Sequence, residues 1–98
     1  MIIVLAPFRA KRGEREKLIA MARECVDATR KEEGCIMYDL MTSTDDYQGL
    51  SFVEKWTDKE ALRKHLATPH VKKFFSERTP YIEGDTEVAL FEATPESL

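Results

Sequence analysis

The residues best suited to chemistry lie between positions 52 and 75, a segment that holds the only tryptophan and both histidines of the chain. Phe52, Glu54 and Trp56 alternate, so on a strand they share one face and the carboxylate lies between two aromatic rings. Removal from water raises the pKa of such a carboxylate. Glu54 could therefore act as a general base near neutral pH.

A helix follows directly and brings the first histidine toward this face. Thr57 and Glu60 have the spacing of a capping box, in which the Thr side chain accepts a hydrogen bond from the Glu60 amide. The helix has an apolar side made of Ala61, Leu62, His65 and Leu66. If His65 meets Glu54, the glutamate fixes the imidazole tautomer and the histidine accepts a substrate proton. The alternative is a structural bridge between helix and sheet.

The second histidine lies at the start of another helix. Thr68 is the expected N-cap and Pro69 the first helical residue, which places His70 in the first turn. The helix dipole disfavours a charged imidazolium there, so a neutral His70 could donate a hydrogen bond to an anion. The alternative is a surface histidine without function. The spacing of His65 and His70, with or without Glu54, matches no recognised ligand pattern, and we expect no metal site.

Length and composition favour one small domain over residues 1–98 of the 98-residue chain. A net charge of −3 disfavours nucleic acid and anionic membranes as partners. No apolar run is long enough to span a bilayer and no signal-peptide pattern is present, so a cytoplasmic location is expected. Cys25 and Cys35 lack redox or metal spacing, and Cys25 is expected in the core. No nucleotide or flavin motif occurs, so we expect no cofactor.

The predicted elements are four strands and two helical regions, the second of them divided in two. They are the strands Ile2–Phe8, Cys35–Met41, Leu50–Trp56 and Thr86–Glu92, a helix within 13–33 that ends at Gly34, and the helices Asp58–Ala67 and Pro69–Arg78. In the second strand, Ile36, Tyr38 and Leu40 are expected on one face. The order βαββαβ predicts an α+β, ferredoxin-like antiparallel sheet with the first and third strands central and the helices on one face.

The first strand is apolar on both faces, although the helices can cover only one. Ile2, Val4 and Phe8 lie on one side, and Ile3 and Leu5 on the other. A bare apolar sheet face is a partner site, and the simplest partner is a second copy of the chain. The sequence therefore predicts a homodimer with sheets packed face to face, the alternative being a monomer with a mildly apolar open face.

Three groups of residues carry a resemblance to a known family. They are Glu33-Gly34-Cys35-x-x-Tyr38, Phe52-x-Glu54-x-Trp56-x-Asp58-x-x-Ala61-Leu62-x-x-His65-Leu66-x-Thr68-Pro69-His70, and Phe74-Phe75. Together they resemble the antibiotic biosynthesis monooxygenase superfamily, in particular its quinol-monooxygenase-like branch, over nearly the whole chain. The resemblance implies a dimeric α+β barrel with a pocket between sheet and helices in each subunit. It also implies oxidation of quinols or related aromatics with O₂ and without a cofactor.

Together with the chemistry above, the resemblance suggests roles for individual residues. Glu54 and His65 would transfer protons and His70 would stabilise an anion. The expected substrate-binding residues are Tyr38, Phe52, Trp56 and Phe74. The signature residues of the haem-cleaving branch fall at Ala6, His65 and Phe75, where this chain departs from that pattern, so haem degradation is not expected. Two alternatives stay open, an isomerase of a small dicarbonyl and a non-catalytic dimeric binding or stress-response domain.

Overall fold

One antiparallel sheet carries three α-helices on a single face. The computed structural model describes all of residues 1–98. The elements are β1 (Ile2–Ala10), α1 (Arg15–Thr29), β2 (Cys35–Thr42), β3 (Gly49–Trp56), α2 (Lys59–Leu66), α3 (Pro69–Glu77), a 3₁₀ turn (Thr79–Tyr81), β4 (Ile82–Glu83) and β5 (Ala89–Glu92). No helix is both long and apolar enough to cross a lipid bilayer.

The strand order confirms the ferredoxin-like α+β fold predicted from the sequence. β3 lies between β2 and β1, and both β4 and β5 pair with β1 at its far side. All pairings are antiparallel, so β1 and β3 form the centre of the sheet. In this register Glu54 of β3 lies opposite Val4 of β1 and Tyr38 of β2. The carboxylate thus occupies the middle of the sheet.

The core forms between this sheet and the helices because alternate strand residues point the same way. In β1 every second residue from Ile2 to Ala10 is buried, and in β3 the buried residues are Leu50, Phe52, Glu54 and Trp56. The helices add apolar side chains to the same cluster: Leu18, Ala22, Cys25, Val26, Ala61, Leu62, Val71 and Phe74. The expected core position of Cys25 is confirmed. Glu54 is the only carboxylate among the buried residues.

Several local predictions were wrong at helix boundaries and strand ends. α2 begins one residue later than expected, because Asp58 is its N-cap and Asp58 Oδ1 accepts from the Ala61 amide at 2.9 Å. Leu66 is exposed rather than part of the buried side of α2. The predicted fourth strand over 86–92 is shorter, Ala89–Glu92, and a two-residue strand, Ile82–Glu83, pairs with the other end of β1.

The segment between α1 and β2 also differs from its prediction. α1 ends at Thr29, well before Gly34. Gly34 nevertheless adopts the predicted left-handed conformation, with φ +85, and a Cβ there would lie 2.5 Å from the Ala61 side chain. A register shift between Cys35 and Met37 turns Ile36 outward, so that Ile36 is exposed while Tyr38 is buried. The loop 30–34 is therefore held close against α2.

Candidate active site

Glu54 is a buried carboxyl group in an aromatic environment. Its residue is 5% exposed, and the indole Nε1 of Trp56 donates a hydrogen bond to Glu54 Oε1 at 2.9 Å. Burial raises the pKa of Glu54 to about 7, and the charge of Glu32 acts in the same direction, while the Trp56 hydrogen bond partly opposes them. The group can therefore both release and accept a proton near neutral pH.

His65 is buried against the aromatic side chains of the sheet. Its ring centroid lies 4.6 Å from that of Trp56 and 5.1 Å from that of Tyr38. The pairing with Glu54 that the sequence left open does not form, and His65 Nδ1 instead lies 2.8 Å from Oε2 of Glu32 in the loop after α1. Burial lowers the pKa of His65 despite the opposing effect of Glu32, so the imidazole is neutral at neutral pH.

His70 shares the same carboxylate oxygen. Its Nε2 lies 2.8 Å from Glu32 Oε2 and 3.3 Å from the hydroxyl of Thr68. Thr68 precedes α3 as predicted, but its side chain does not cap the helix and donates to the His65 carbonyl at 2.6 Å. The structure thus brings the two histidines together on Glu32. The ring of His65 also packs against the ring of Trp56.

Glu32 is the site residue that the sequence reasoning missed. It lies in the polar run Lys31-Glu32-Glu33, which has the composition of a solvated helix end. α1 stops at Thr29, however, and the following turn directs Glu32 toward α2 and α3. No spacing in the sequence relates position 32 to positions 65 and 70, so only the tertiary structure identifies it.

The four predicted substrate-binding aromatic residues lie together and are all buried. The Tyr38 and Phe52 ring centroids are 5.1 Å apart, those of Phe52 and Phe74 are 5.4 Å apart, and those of Tyr38 and Trp56 are 6.3 Å apart. Burial raises the pKa of the Tyr38 hydroxyl, and the nearby Glu54 carboxylate raises it further. Tyr38 therefore stays a neutral hydrogen-bonding group.

A cavity of about 90 Å³ lies between α1 and α3, beside one of these four aromatic residues. Its lining includes Cys25, His70 and Phe74, but not Glu54. Tyr38 lies near Cys25 and opposite Glu54 in the sheet. A larger depression of about 580 Å³, lined by Pro7, Met41 and other residues, is not lined by Glu54 either.

Comparison with known proteins assigns the family. The family described as antibiotic biosynthesis monooxygenase matches residues 1–77. The putative monooxygenase YcnE of Bacillus subtilis is 28% identical over 88 residues, which cover 90% of this chain and 93% of that protein. The uncharacterized protein sll1783 of Synechocystis is 24% identical over 92% of this chain, which spans only 61% of that relative.

Solved structures agree with the sequence comparison. A crystal structure described as an antibiotic biosynthesis monooxygenase superimposes with a TM-score of 0.90 and 32% sequence identity. The superposition covers 97% of this chain and all of that one. Because the family match covers most of the chain, and a structure described by the same family name superimposes on nearly all of it, this chain belongs to the antibiotic biosynthesis monooxygenase family.

Proposed function

We propose that the protein is a monooxygenase that oxidises a quinol or another enolisable aromatic molecule with O₂ and without a cofactor. The observation that carries the proposal is Glu54, a buried carboxyl group among aromatic rings whose pKa is raised to about 7. A structural carboxylate would gain nothing from this environment, since its burial costs free energy. A general base for a phenol or enol does gain from it, because its proton affinity approaches that of the substrate.

The reaction needs only a base and a dry site. Glu54 removes the hydroxyl proton, and the resulting anion is electron-rich enough to donate an electron to O₂. Recombination forms a carbon–oxygen bond, and cleavage of the oxygen–oxygen bond releases the second oxygen atom as water after proton return. For a hydroquinone the products are a hydroxyquinone and water, and the substrate itself supplies all the electrons that reduce O₂. The surrounding aromatic side chains would exclude water from the anion.

His65 is assigned a second proton-transfer role, now with a different partner. Since Glu32 binds Nδ1 of His65, it selects the tautomer in which Nε2 is the free acceptor. Glu32 is thus a positioning residue for His65. The Nε2–H of His70 is directed at Glu32, so we assign His70 primarily to holding that carboxylate. Donation to a substrate anion would require this bond to open.

The substrate is proposed to enter between α1 and α3. The cavity there is lined by Phe74, His70 and Cys25, and Tyr38 lies near Cys25 and opposite Glu54 in the sheet. Its volume of about 90 Å³ is small for a bicyclic quinol, so binding would displace the Phe74 ring. We assign the four aromatic residues Tyr38, Phe52, Trp56 and Phe74 to the substrate-binding walls.

We also propose that the protein acts as a homodimer through the uncovered sheet face. Ile3, Leu5 and Phe91 lie side by side there, with Leu5 and Phe91 exposed. Contiguous exposed apolar side chains of this kind favour association. A second copy is the proposed occupant because two identical β-sheet faces can pack about a twofold axis.

Oxygen uptake with a reduced naphthoquinone, in buffer containing a strong chelator, tests the function. We expect uptake above the rate of autoxidation and incorporation of one atom from ¹⁸O₂ into the product. Glu54→Gln should lower the rate at least about 100-fold, because the neutral isostere loses the base. Glu60→Gln, at an exposed carboxylate of α2, is the matched control and should retain full activity.

Two outcomes would contradict the proposal. Uptake equal to autoxidation across a panel of quinols and anthrones would reject the oxygenase, and full activity of Glu54→Gln would reject the base. Solvent deuterium exchange into a dicarbonyl compound without O₂ would indicate instead an isomerase that uses the same proton abstraction.

A further inference from the structure

Glu32, His65 and His70 converge from three separate segments. Glu32 lies in the loop after α1, His65 in the last turn of α2 and His70 in the first turn of α3. One ligand atom from each residue, a carboxylate oxygen or an imidazole nitrogen, lies within 4.8 Å of those of the other two. His65 is buried and the other two are partly buried, so the group is anchored yet reachable from solvent.

The distances suit a coordination sphere. Each imidazole nitrogen is 2.8 Å from Glu32 Oε2. In a metal site with bonds of about 2.1 Å, neighbouring ligand atoms lie about 3 Å apart. The two carboxylate–imidazole distances therefore already suit a metal site, and the two imidazole nitrogens, which lie within 4.8 Å of each other, would approach one another on binding. The Thr68 hydroxyl, 3.3 Å from His70 Nε2, is available beside the group as a further oxygen.

The donor set is selective. Two imidazoles and one carboxylate suit Zn²⁺, Fe²⁺ and related first-row ions, whereas Mg²⁺ and Ca²⁺ prefer all-oxygen ligands. Three protein ligands also leave coordination positions for water. The His65 ring is fixed by its packing against Trp56 and Tyr38, which reduces the entropy lost when its nitrogen binds a metal.

We propose that Glu32, His65 and His70 form a binding site for one first-row divalent transition-metal ion. The site joins the loop after α1 to the α2–α3 junction, so an occupied site stabilises the packing of the helices on the sheet. The site does not include the Glu54 base, and its existence does not depend on the proposed reaction. Because it uses the Nδ1 lone pair of His65, an occupied site leaves the proton on Nε2 and excludes the proton-accepting role proposed for that atom. Binding is therefore measured on the protein without substrate.

Titration with Zn²⁺ tests the site directly. We expect one Zn²⁺ per chain by calorimetry and a higher melting temperature that Mg²⁺ does not reproduce. Co²⁺ should give visible absorption bands typical of bound Co²⁺. His70→Gln and Glu32→Gln should each weaken Zn²⁺ binding at least about tenfold, because even loss of an outer-shell partner has an effect of that size. Circular dichroism checks that both variants fold.

Two matched controls separate this site from other metal-binding groups. Glu33→Gln changes the neighbouring carboxylate and should bind Zn²⁺ like the wild type. Cys35→Ser removes the more accessible thiol and should also retain binding. Undetectable Zn²⁺ binding at micromolar concentration overturns the proposal. Binding that survives in both His70→Gln and Glu32→Gln, or that disappears in Cys35→Ser, overturns it as well.

Discussion

Each face of the sheet carries side chains that are more common on the opposite kind of face: a carboxylate on the buried face and large apolar groups on the exposed one. The face under the helices is apolar except for Glu54, a carboxylate enclosed beside Trp56. The open face presents Leu5 and Phe91 to solvent. The same strands supply both faces, because successive residues point to opposite sides. A buried carboxylate and exposed apolar groups both cost free energy, and a reaction on one face and a partner on the other would explain why they are present.

The largest effect should come from a charge on the open face. Leu5→Lys would place an ammonium group in the proposed dimer interface, at a cost of several kcal/mol. We expect the wild type to sediment as a dimer at micromolar concentration and the variant as a monomer or aggregate. Leu66→Lys, at an exposed leucine on α2, is the matched control and should remain dimeric. A monomeric wild type would remove the proposed role of this face.

The face under the helices, called here the covered face, should make the stability of the protein depend on pH in an unusual way. The pKa of Glu54 is raised from 4.5 to about 7 in the folded chain, so the folded state holds this proton more tightly than the unfolded state. The resulting stabilisation is fully present below pH 4.5 and is lost as pH rises through 7, in total roughly 3 kcal/mol. Burial lowers the pKa of His65, which has the opposite effect on stability at acidic pH.

Urea unfolding of wild type and Glu54→Gln between pH 5 and 8 isolates this contribution, since both proteins keep His65. The wild type should lose stability relative to the variant as pH rises, because glutamine cannot ionise. Parallel stability curves for the two proteins would show that the pKa of Glu54 is not raised.

Most of the fold was predictable from the sequence because its signals are local. Alternation in β3 identified Phe52, Glu54 and Trp56 as one buried face, and the strand order followed from the element order. The errors occurred where tertiary contacts decide the outcome. Ile36 was assigned to the wrong face because a bulge shifts the register of β2. Gly34 was assigned to the end of α1, but α1 ends earlier, and the lack of a side chain at Gly34 instead allows the loop to approach α2 closely.

The candidate site was predictable in its residue types but not in its pairing. Glu54, His65 and His70 all lie in the predicted elements, and the burial of Glu54 and His65 follows from periodicity. Which carboxylate meets the histidines depends on the turn after Thr29, and the residues of that turn give no such signal. The sequence therefore offered Glu54 as a candidate partner of His65, and the structure has Glu32 instead.

A smaller effect is expected from His65, which contacts the covered face without lying on it. His65→Gln should lower oxygen uptake about 10- to 100-fold, less than Glu54→Gln, because it removes a proton relay and leaves the base. The ratio of the two rate losses compares the contribution of His65, on α2, with that of Glu54, on the sheet. A loss in His65→Gln equal to that in Glu54→Gln would make His65 the base. Chemical denaturation should accompany the assay, because the substitution also alters a packed ring.

The smallest effect is expected from the hydrogen bond that lowers the pKa of Glu54 on the covered face. The Trp56 indole N–H lowers the pKa of Glu54 against the larger effect of burial. Trp56→Phe removes this donor and should raise the pKa of Glu54 further, by about one unit if the bond contributes about 1.5 kcal/mol. Since Glu54 must be ionised to act as a base, the rise of kcat/KM with pH should shift upward by the same amount. Tyr38→Phe, which alters a neighbouring ring without touching this hydrogen bond, provides the comparison. An unshifted profile in an active, folded Trp56→Phe variant would mean that a group other than Glu54 controls the pH dependence.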